Sequence, residues 1–88
     1  MPYAITRFDP TPNPNALKCI LDRPISDRPR SFRSAAEATS DPLAAAIFAV
    51  PGVTNLLLNG DWLTVNKSSE SEWKPVKAGV QAALRVAP

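Results

Sequence analysis

The sequence predicts an α+β fold, in which an antiparallel β-sheet carries two helices packed on one of its faces. Three observations lead to this prediction: alternating apolar residues among the N-terminal prolines, a hairpin signal at Asn59-Gly60, and two segments with helical apolar spacing. Because the chain has 88 residues, it suits a single domain over residues 1–88. The predicted element order is β-β-(β)-α-β-β-α, with the helices over the apolar face of the sheet.

Two strands are predicted at residues 3–8 and 16–22, joined by residues 9–15. The connecting sequence DPTPNPN consists almost entirely of turn formers, since Asp and Asn bond to nearby backbone and Pro fixes φ. We therefore expect a tight, stiff turn between paired strands. In the second strand the alternation separates an apolar face from a polar face: Leu17, Cys19 and Leu21 against Lys18 and Asp22.

Residues 23–33 are predicted to form a solvated loop, because they contain four arginines, two prolines and no amphipathic period. We expect this loop to lead into a short extended piece at residues 31–35, which is the bracketed strand of the predicted order. The arginines are Arg23, Arg28, Arg30 and Arg33.

The first helix is predicted to begin at Pro42 and to end at Pro51-Gly52. Ser40 or Asp41 can cap the free N–H groups of the first turn, and Pro42 fits there because its missing donor is not needed. One apolar face of this helix is expected to carry Leu43, Ile47 and Phe48.

A β-hairpin is predicted over residues 53–59 and 62–67. Asn59-Gly60 is the preferred two-residue turn, because both central positions need a positive φ. A loop at Gly60-Asp61 would change the paired residues and keep the same apolar face. That face carries Leu56, Leu58, Leu63 and Val65.

The second helix is predicted to begin at about Ser69, with Ser69 and Glu72 as a capping box and Pro75 in the first turn. Its apolar residues recur at helical spacing, and they are Trp73, Val76, Val80 and Leu84.

The composition excludes several classes of function. With no histidine and one cysteine, the chain has no imidazole base, no CxxC pair and no zinc or iron–sulfur ligand set of its own. No nucleophile–base pair or Gly-rich phosphate loop stands out, so we predict no catalytic residue, no metal site and no enzymatic activity. No apolar run approaches the roughly 20 residues of a membrane helix, and no secretory signal is visible. A single cysteine fits a reducing compartment, and we expect a cytoplasmic protein.

Five blocks of sequence, in order and in register, resemble the N-terminal domain of the Nfu/NifU family, which belongs to iron–sulfur cluster assembly. The first block, residues 11–18 (TPNPNALK), is similar to the family signature T-x-N-P-N-x-L-K. The resemblance spans nearly the whole chain and implies the family's α+β fold. The other blocks are residues 41–44 with 47–48, residues 50–53, residues 60–65 with Lys67, and residues 72–73 with 76–77.

Two departures limit what the resemblance implies. Ala78 stands where the family often has Pro, and Pro75 lies three residues earlier, so we expect the last helix to begin differently. Full-length scaffolds of the family carry a second domain whose CxxC pair binds the cluster, and this sequence has no such pair. The resemblance therefore does not carry over cluster binding. We expect no cofactor on this chain alone, and an iron–sulfur cluster only through a partner.

The candidate protein-binding residues lie on the N-terminal turn and on the polar strand faces. A stiff turn on a rigid scaffold can dock a partner, and the same residues also suit a purely structural turn. Trp62 is expected on the hairpin face opposite Leu58 and Leu63, partly exposed as an anchor for a partner. The candidates are Thr11, Asn13, Pro14, Asn15, Lys18 and Trp62.

Two further residues have structural roles available. Cys19 could supply one thiolate to a cluster bridged across a dimer, or it could be a small core residue between Leu17 and Leu21. We predict the core role, because clusters are normally held by four thiolates. Trp73 is expected in the helix–sheet core, with its indole N–H reaching a partner or water.

The leading hypothesis is a non-enzymatic accessory module that binds a protein of the iron–sulfur assembly pathway or an iron–sulfur client. The alternative is a weak nucleic-acid-binding module that uses the four arginines on phosphates. We favour the protein partner, because the net charge is only +2 and Phe32 is the single stacking aromatic in the arginine segment.

Overall fold

In a computed structural model of the chain, which describes residues 3–34 and 36–85, five strands and two helices follow one another in the predicted order β-β-β-α-β-β-α. The strands form one antiparallel sheet in the order β1-β2-β5-β4-β3, so the predicted α+β class is confirmed. The elements are β1 Ile5–Pro10, β2 Ala16–Leu21, β3 Ser26–Phe32, α1 Pro42–Phe48, β4 Val53–Gly60, β5 Trp62–Lys67 and α2 Trp73–Arg85.

The β4–β5 hairpin adopts the second of the two predicted registers. Asn59 pairs with Trp62, so the loop consists of Gly60 and Asp61. Gly60 has a φ of 58°, a left-handed conformation that glycine adopts without steric cost. The pairs Leu58↔Leu63 and Leu56↔Val65 follow, and these four side chains are buried on one face of the sheet, as predicted.

Both helices cover that same face. Ala44 and Ile47 of α1 and three residues of α2 share one buried cluster with the inward side chains of β2, β4 and β5. Because alternate residues of a strand point to opposite faces, the other face of the sheet carries the remaining side chains of these strands. The α2 members of the cluster are Val76, Val80 and Leu84, which confirms the predicted apolar spacing.

The segment predicted as a solvated loop contains an edge strand. β3 pairs with β4 from Ser26↔Gly60 to Phe32↔Leu56, with an irregular register between Ser26 and Arg30. Pro29 lies within this irregular stretch, and an edge strand tolerates a residue that has no N–H to donate. The prediction of a loop was therefore wrong for residues 26–30. Of the extended piece predicted at residues 31–35, β3 includes the first two residues, and Ala35 lies outside the described residues.

The two helix starts differ in how well they were predicted. α1 begins at Pro42 as expected, with Asp41 Oδ1 accepting hydrogen bonds from the N–H groups of Leu43 and Ala44 at 3.0 and 3.2 Å. α2 begins at Trp73, so the capping box and the start at Ser69 were wrong.

The position of Pro75 gives the reason for the later start of α2. A helix from Ser69 would place Pro75 beyond the first turn, where its ring clashes with the carbonyl of the residue four positions earlier. Ser68 and Ser71 instead form a turn, in which the N–H of Ser71 donates to the carbonyl of Ser68 at 3.1 Å.

Candidate protein-binding surface

Lys18 and Trp62 lie side by side on the sheet face that does not contribute to the buried cluster. β2 and β5 are neighbours, with Lys18 paired to Thr64 and Ile20 paired to Trp62. Lys18 Nζ lies 4.5 Å from the centre of the Trp62 ring, within the range of a cation–π interaction. Both residues are half-buried, which matches the partly exposed position expected for Trp62.

Two aliphatic residues extend this surface. Ile20 lies beside Trp62, and Leu57 of β4 pairs with Thr64. Each is only half-buried, although each stands between fully buried neighbours in its strand. Strand alternation places Ile20 on the same side as Lys18, so its position could have been predicted from the sequence. We call this surface the Trp62 face, and it consists of Lys18, Ile20, Leu57, Trp62 and Thr64.

The turn between β1 and β2 is held by its own polar groups. The Thr11 hydroxyl lies 2.9 and 3.0 Å from the carbonyls of Asn13 and Ala16 and accepts the N–H of Asn13 at 3.2 Å. Asn13 Oδ1 accepts the N–H of Asn15 at 2.9 Å. These bonds are those of a structural turn, so the exposed surface of this segment is provided by Pro12, Asn13 and Pro14.

Lys67 at the end of β5 and Trp73 at the start of α2 fasten the same turn, through contacts that were not predicted from the sequence. Lys67 Nζ donates to Asn15 Oδ1 at 3.0 Å, and Lys67 N–H donates to the Asn15 carbonyl at 2.8 Å. Trp73 Nε1 donates to the Pro14 carbonyl at 3.0 Å. Trp73 is half-buried against the core, so its predicted combination of an apolar ring and a bonded indole N–H is confirmed.

The structure separates the candidate residues into two groups. Asn15 ends the turn at one end of β2, whereas Trp62 pairs with Ile20 near the other end. Five residues of extended strand separate these points by about 16 Å. Lys18 lies between them, and its side chain belongs with Trp62.

The four arginines of the nucleic-acid hypothesis do not form one patch. Arg30 points to the helix side, where it forms an ion pair with Asp41 Oδ2 at the start of α1. Arg23 lies 3.4 Å from Asp22 Oδ2. Arg28 and Arg33 are exposed and form no ion pair within the described residues. At most two of the four arginines therefore present an unpaired positive charge to solvent.

Cys19 lies in the core, as predicted. It is 2% exposed and contacts the inward residues of the sheet. Burial raises the pKa of its thiol to about 12, against a smaller opposite effect of the Lys77 charge. Because metals bind the thiolate, this position favours the neutral packing role.

Residues 3–34 and 36–85 contain neither a metal-binding cluster nor a membrane-spanning helix. No cluster of three or more Cys, Asp and Glu side chains is arranged to hold a metal ion. Neither helix among these residues has the length and apolarity needed to cross a bilayer.

The chain matches the family model described as "Scaffold protein Nfu/NifU N terminal" over residues 5–87. It is 33% identical over 84 residues to the NFU1 iron-sulfur cluster scaffold homolog, mitochondrial, of Homo sapiens, covering 93% of this chain and 33% of that protein. It is 35% identical over 75 residues to NifU-like protein 5, mitochondrial, of Arabidopsis thaliana, covering 84% and 27% of the two chains. The chain thus spans a third or less of the length of these curated relatives.

Solved structures show the same fold. The solution structure of a NifU-like protein from Saccharomyces cerevisiae aligns with a TM-score of 0.75 and 27% identity, covering 93% of this chain and 76% of that one. The crystal structure of protein SAV1430 from Staphylococcus aureus aligns with a TM-score of 0.78 over 91% of this chain and 96% of that one. At 24% identity, the second alignment supports the fold alone.

Proposed function

Since the chain belongs to the family of Nfu/NifU scaffold N-terminal domains, we propose that it is a non-enzymatic module of iron–sulfur cluster assembly that acts by binding a protein partner. The partner is a component of the assembly pathway or an iron–sulfur client. The name of the human relative supports the pathway, because it describes an iron–sulfur cluster scaffold homolog.

The observation that carries the binding role is the Trp62 face. Tryptophan, isoleucine and leucine side chains stand half-exposed on one side of the sheet, with a lysine ammonium over the tryptophan ring. Partly exposed tryptophan is enriched at the centres of protein interfaces, where a partner completes its burial. We infer that the Trp62 face is the docking surface, and that the exposed residues 12–14 of the turn, at the other end of β2, form a separate contact with the partner.

The cysteine content also favours a cluster ligated outside these 88 residues. Clusters are normally held by four thiolates, and this chain has one cysteine, which is buried. We infer that any cluster handled together with this module is ligated by the partner, and that the module contributes recognition.

The cellular location remains a prediction. A reducing compartment agrees with the single free cysteine. The names of the human and Arabidopsis relatives place those proteins in mitochondria, and we retain the cytoplasm for this chain as the hypothesis to test by fractionation.

The binding role is tested by capture from native lysate prepared without oxygen, using the immobilised chain and mass spectrometry. We expect the wild-type chain to enrich iron–sulfur assembly proteins or iron–sulfur enzymes, before and after nuclease treatment. Trp62→Thr and Lys18→Gln should lower the affinity for the main captured protein, the former by about tenfold or more because interface tryptophans are frequent hot spots.

Lys74→Gln is the matched control, because Lys74 is exposed on α2 and its loss changes the charge by the same amount. Capture that contains no assembly component and no iron–sulfur protein would contradict the proposed pathway. Capture that survives Trp62→Thr unchanged, in a variant whose melting temperature is close to that of the wild type, would remove the Trp62 face from the proposal.

A further inference from the structure

A cavity of about 300 Å³ opens where β1 begins, β2 ends and α2 ends. This volume is at the lower limit of pockets that hold small ligands. None of the residues that line the cavity belongs to the Trp62 face, so a ligand there would be independent of the proposed docking surface. The lining residues are Tyr3, Ala4, Ile5, Asp22, Arg23, Gln81 and Arg85.

The lining combines two guanidinium groups with one carboxylate. Arg23 and Arg85 contribute two positive charges, and Asp22 contributes one negative charge, so the cavity has an excess of one positive charge. Within the described part of the chain, no carboxylate forms an ion pair with Arg85. A single anionic group would therefore neutralise the lining.

The carboxylate of Asp22 already has partners in the protein. Its Oδ1 accepts the N–H of Ala4 at 3.1 Å, and its Oδ2 lies 3.4 Å from the guanidinium of Arg23. The hydrogen bond from Ala4, with a smaller contribution from Arg23, lowers the pKa of Asp22 below its ordinary value. The contact with Asp22 places the Arg23 guanidinium at the cavity wall.

The last turn of α2 would otherwise disfavour an anion, because helix carbonyls carry partial negative charge at that end. The Leu84 carbonyl accepts a hydrogen bond from the N–H of Tyr3 at 3.0 Å, and Arg85 supplies a positive charge in the same turn. These two features offset the unfavourable end of the helix dipole.

We propose that this cavity binds a small organic carboxylate with an apolar body. The two guanidinium groups are suited to planar carboxylates, which they can bind in bidentate fashion, and Gln81 adds amide donors. Tyr3 and Ile5 provide apolar wall for the body of the ligand. A monoanion matches the excess charge, whereas a phosphate dianion would exceed it and would face Asp22.

The test is a titration of the isotopically labelled full chain with benzoate, followed by backbone amide chemical shifts at constant sodium concentration. We expect saturable shifts for Ile5, Arg23 and Gln81, and none with benzamide, which has the same shape without the charge. Arg23→Gln and Arg85→Gln should each weaken benzoate binding by about tenfold or more, since each removes a charge-assisted hydrogen bond.

Arg28→Gln is the matched control, because Arg28 is exposed on the edge strand β3 and outside the cavity. The proposal is overturned if benzoate causes no saturable shift, if benzamide binds equally well, or if Arg28→Gln weakens binding as much as Arg85→Gln. Tighter binding of inorganic phosphate than of benzoate would overturn the assignment to carboxylates. The amide spectrum of each variant establishes that the fold is retained.

Discussion

At the scale of single residues, the environment of Cys19 determines what its sulfur can do. The side chain is 2% exposed, and desolvation raises the pKa of its thiol from an ordinary 9.0 to about 12. Only the thiolate is a good nucleophile or metal ligand, so at neutral pH this sulfur acts as a small apolar core group.

The raised pKa predicts a pH-dependent stability. Because the thiol ionises more readily in the unfolded chain, its contribution to stability is fully present below pH 9 and is lost as the pH rises from 9 toward about 12. Above pH 9, the free energy of unfolding should therefore fall more steeply in the wild type than in Cys19→Ala, as measured by denaturant titrations. Parallel curves for the two proteins would show that the thiol of Cys19 is not shifted.

At the scale of elements, the contact between the end of α1 and the middle of α2 depends on a glycine. A Cβ built on Gly79 would lie 2.6 Å from Cγ1 of Val50, well inside the van der Waals distance. Glycine within a helix costs about 1 kcal/mol relative to alanine. Here the close packing of the buried Val50 against α2 makes the smaller residue necessary.

Gly79→Ala should therefore destabilise the protein, against the direction of helix propensity. An overpacked core site costs about 1–3 kcal/mol, and we expect a net loss of about 1 kcal/mol in the free energy of unfolding. Gly79→Ala should cost less in the Val50→Ala background than in the wild type, because the shorter side chain leaves room for the new methyl group. A double-mutant cycle should therefore give a favourable coupling energy. A more stable Gly79→Ala variant would contradict the packing argument.

Elements that are fixed by local interactions could be predicted from the sequence, whereas those that depend on their place in the sheet could not. α1 was predictable because Asp41 and Pro42 are adjacent in the chain, and capping is a local interaction. β3 was not, because Arg30 and Pro29 are unusual in a strand and are explained only by its position at the sheet edge. There Arg30 lies opposite Leu58 and reaches Asp41 in α1, a contact between elements that local patterns do not report.

The candidate surface was predictable to a similar degree. Strand alternation placed Lys18 and Trp62 on the polar faces of their strands, and the structure agrees. Their contact with each other depends on the register between β2 and β5, which no local pattern encodes. The same is true of Trp73, whose bond to the Pro14 carbonyl joins the two halves of the chain.

At the scale of the whole molecule, one core connects all seven elements. The buried cluster includes residues of β2, β4, β5 and both helices, and half-buried residues of β1 and β3 pack against it. Phe8 and Phe32 are such residues at the two edges of the sheet. A chain of this size with one shared core should unfold in a single cooperative step.

The two tryptophans allow a direct test of this cooperativity, because Trp62 reports on the uncovered sheet face and Trp73 on the start of α2. In Trp62→Phe the fluorescence comes from Trp73, and in Trp73→Phe it comes from Trp62. Within each variant, we expect the fluorescence and far-UV circular dichroism transitions in denaturant to coincide. If Trp73 fluorescence changed before the circular dichroism signal, α2 and the turn that it fastens would be separating from the sheet, and the single-core interpretation would be wrong.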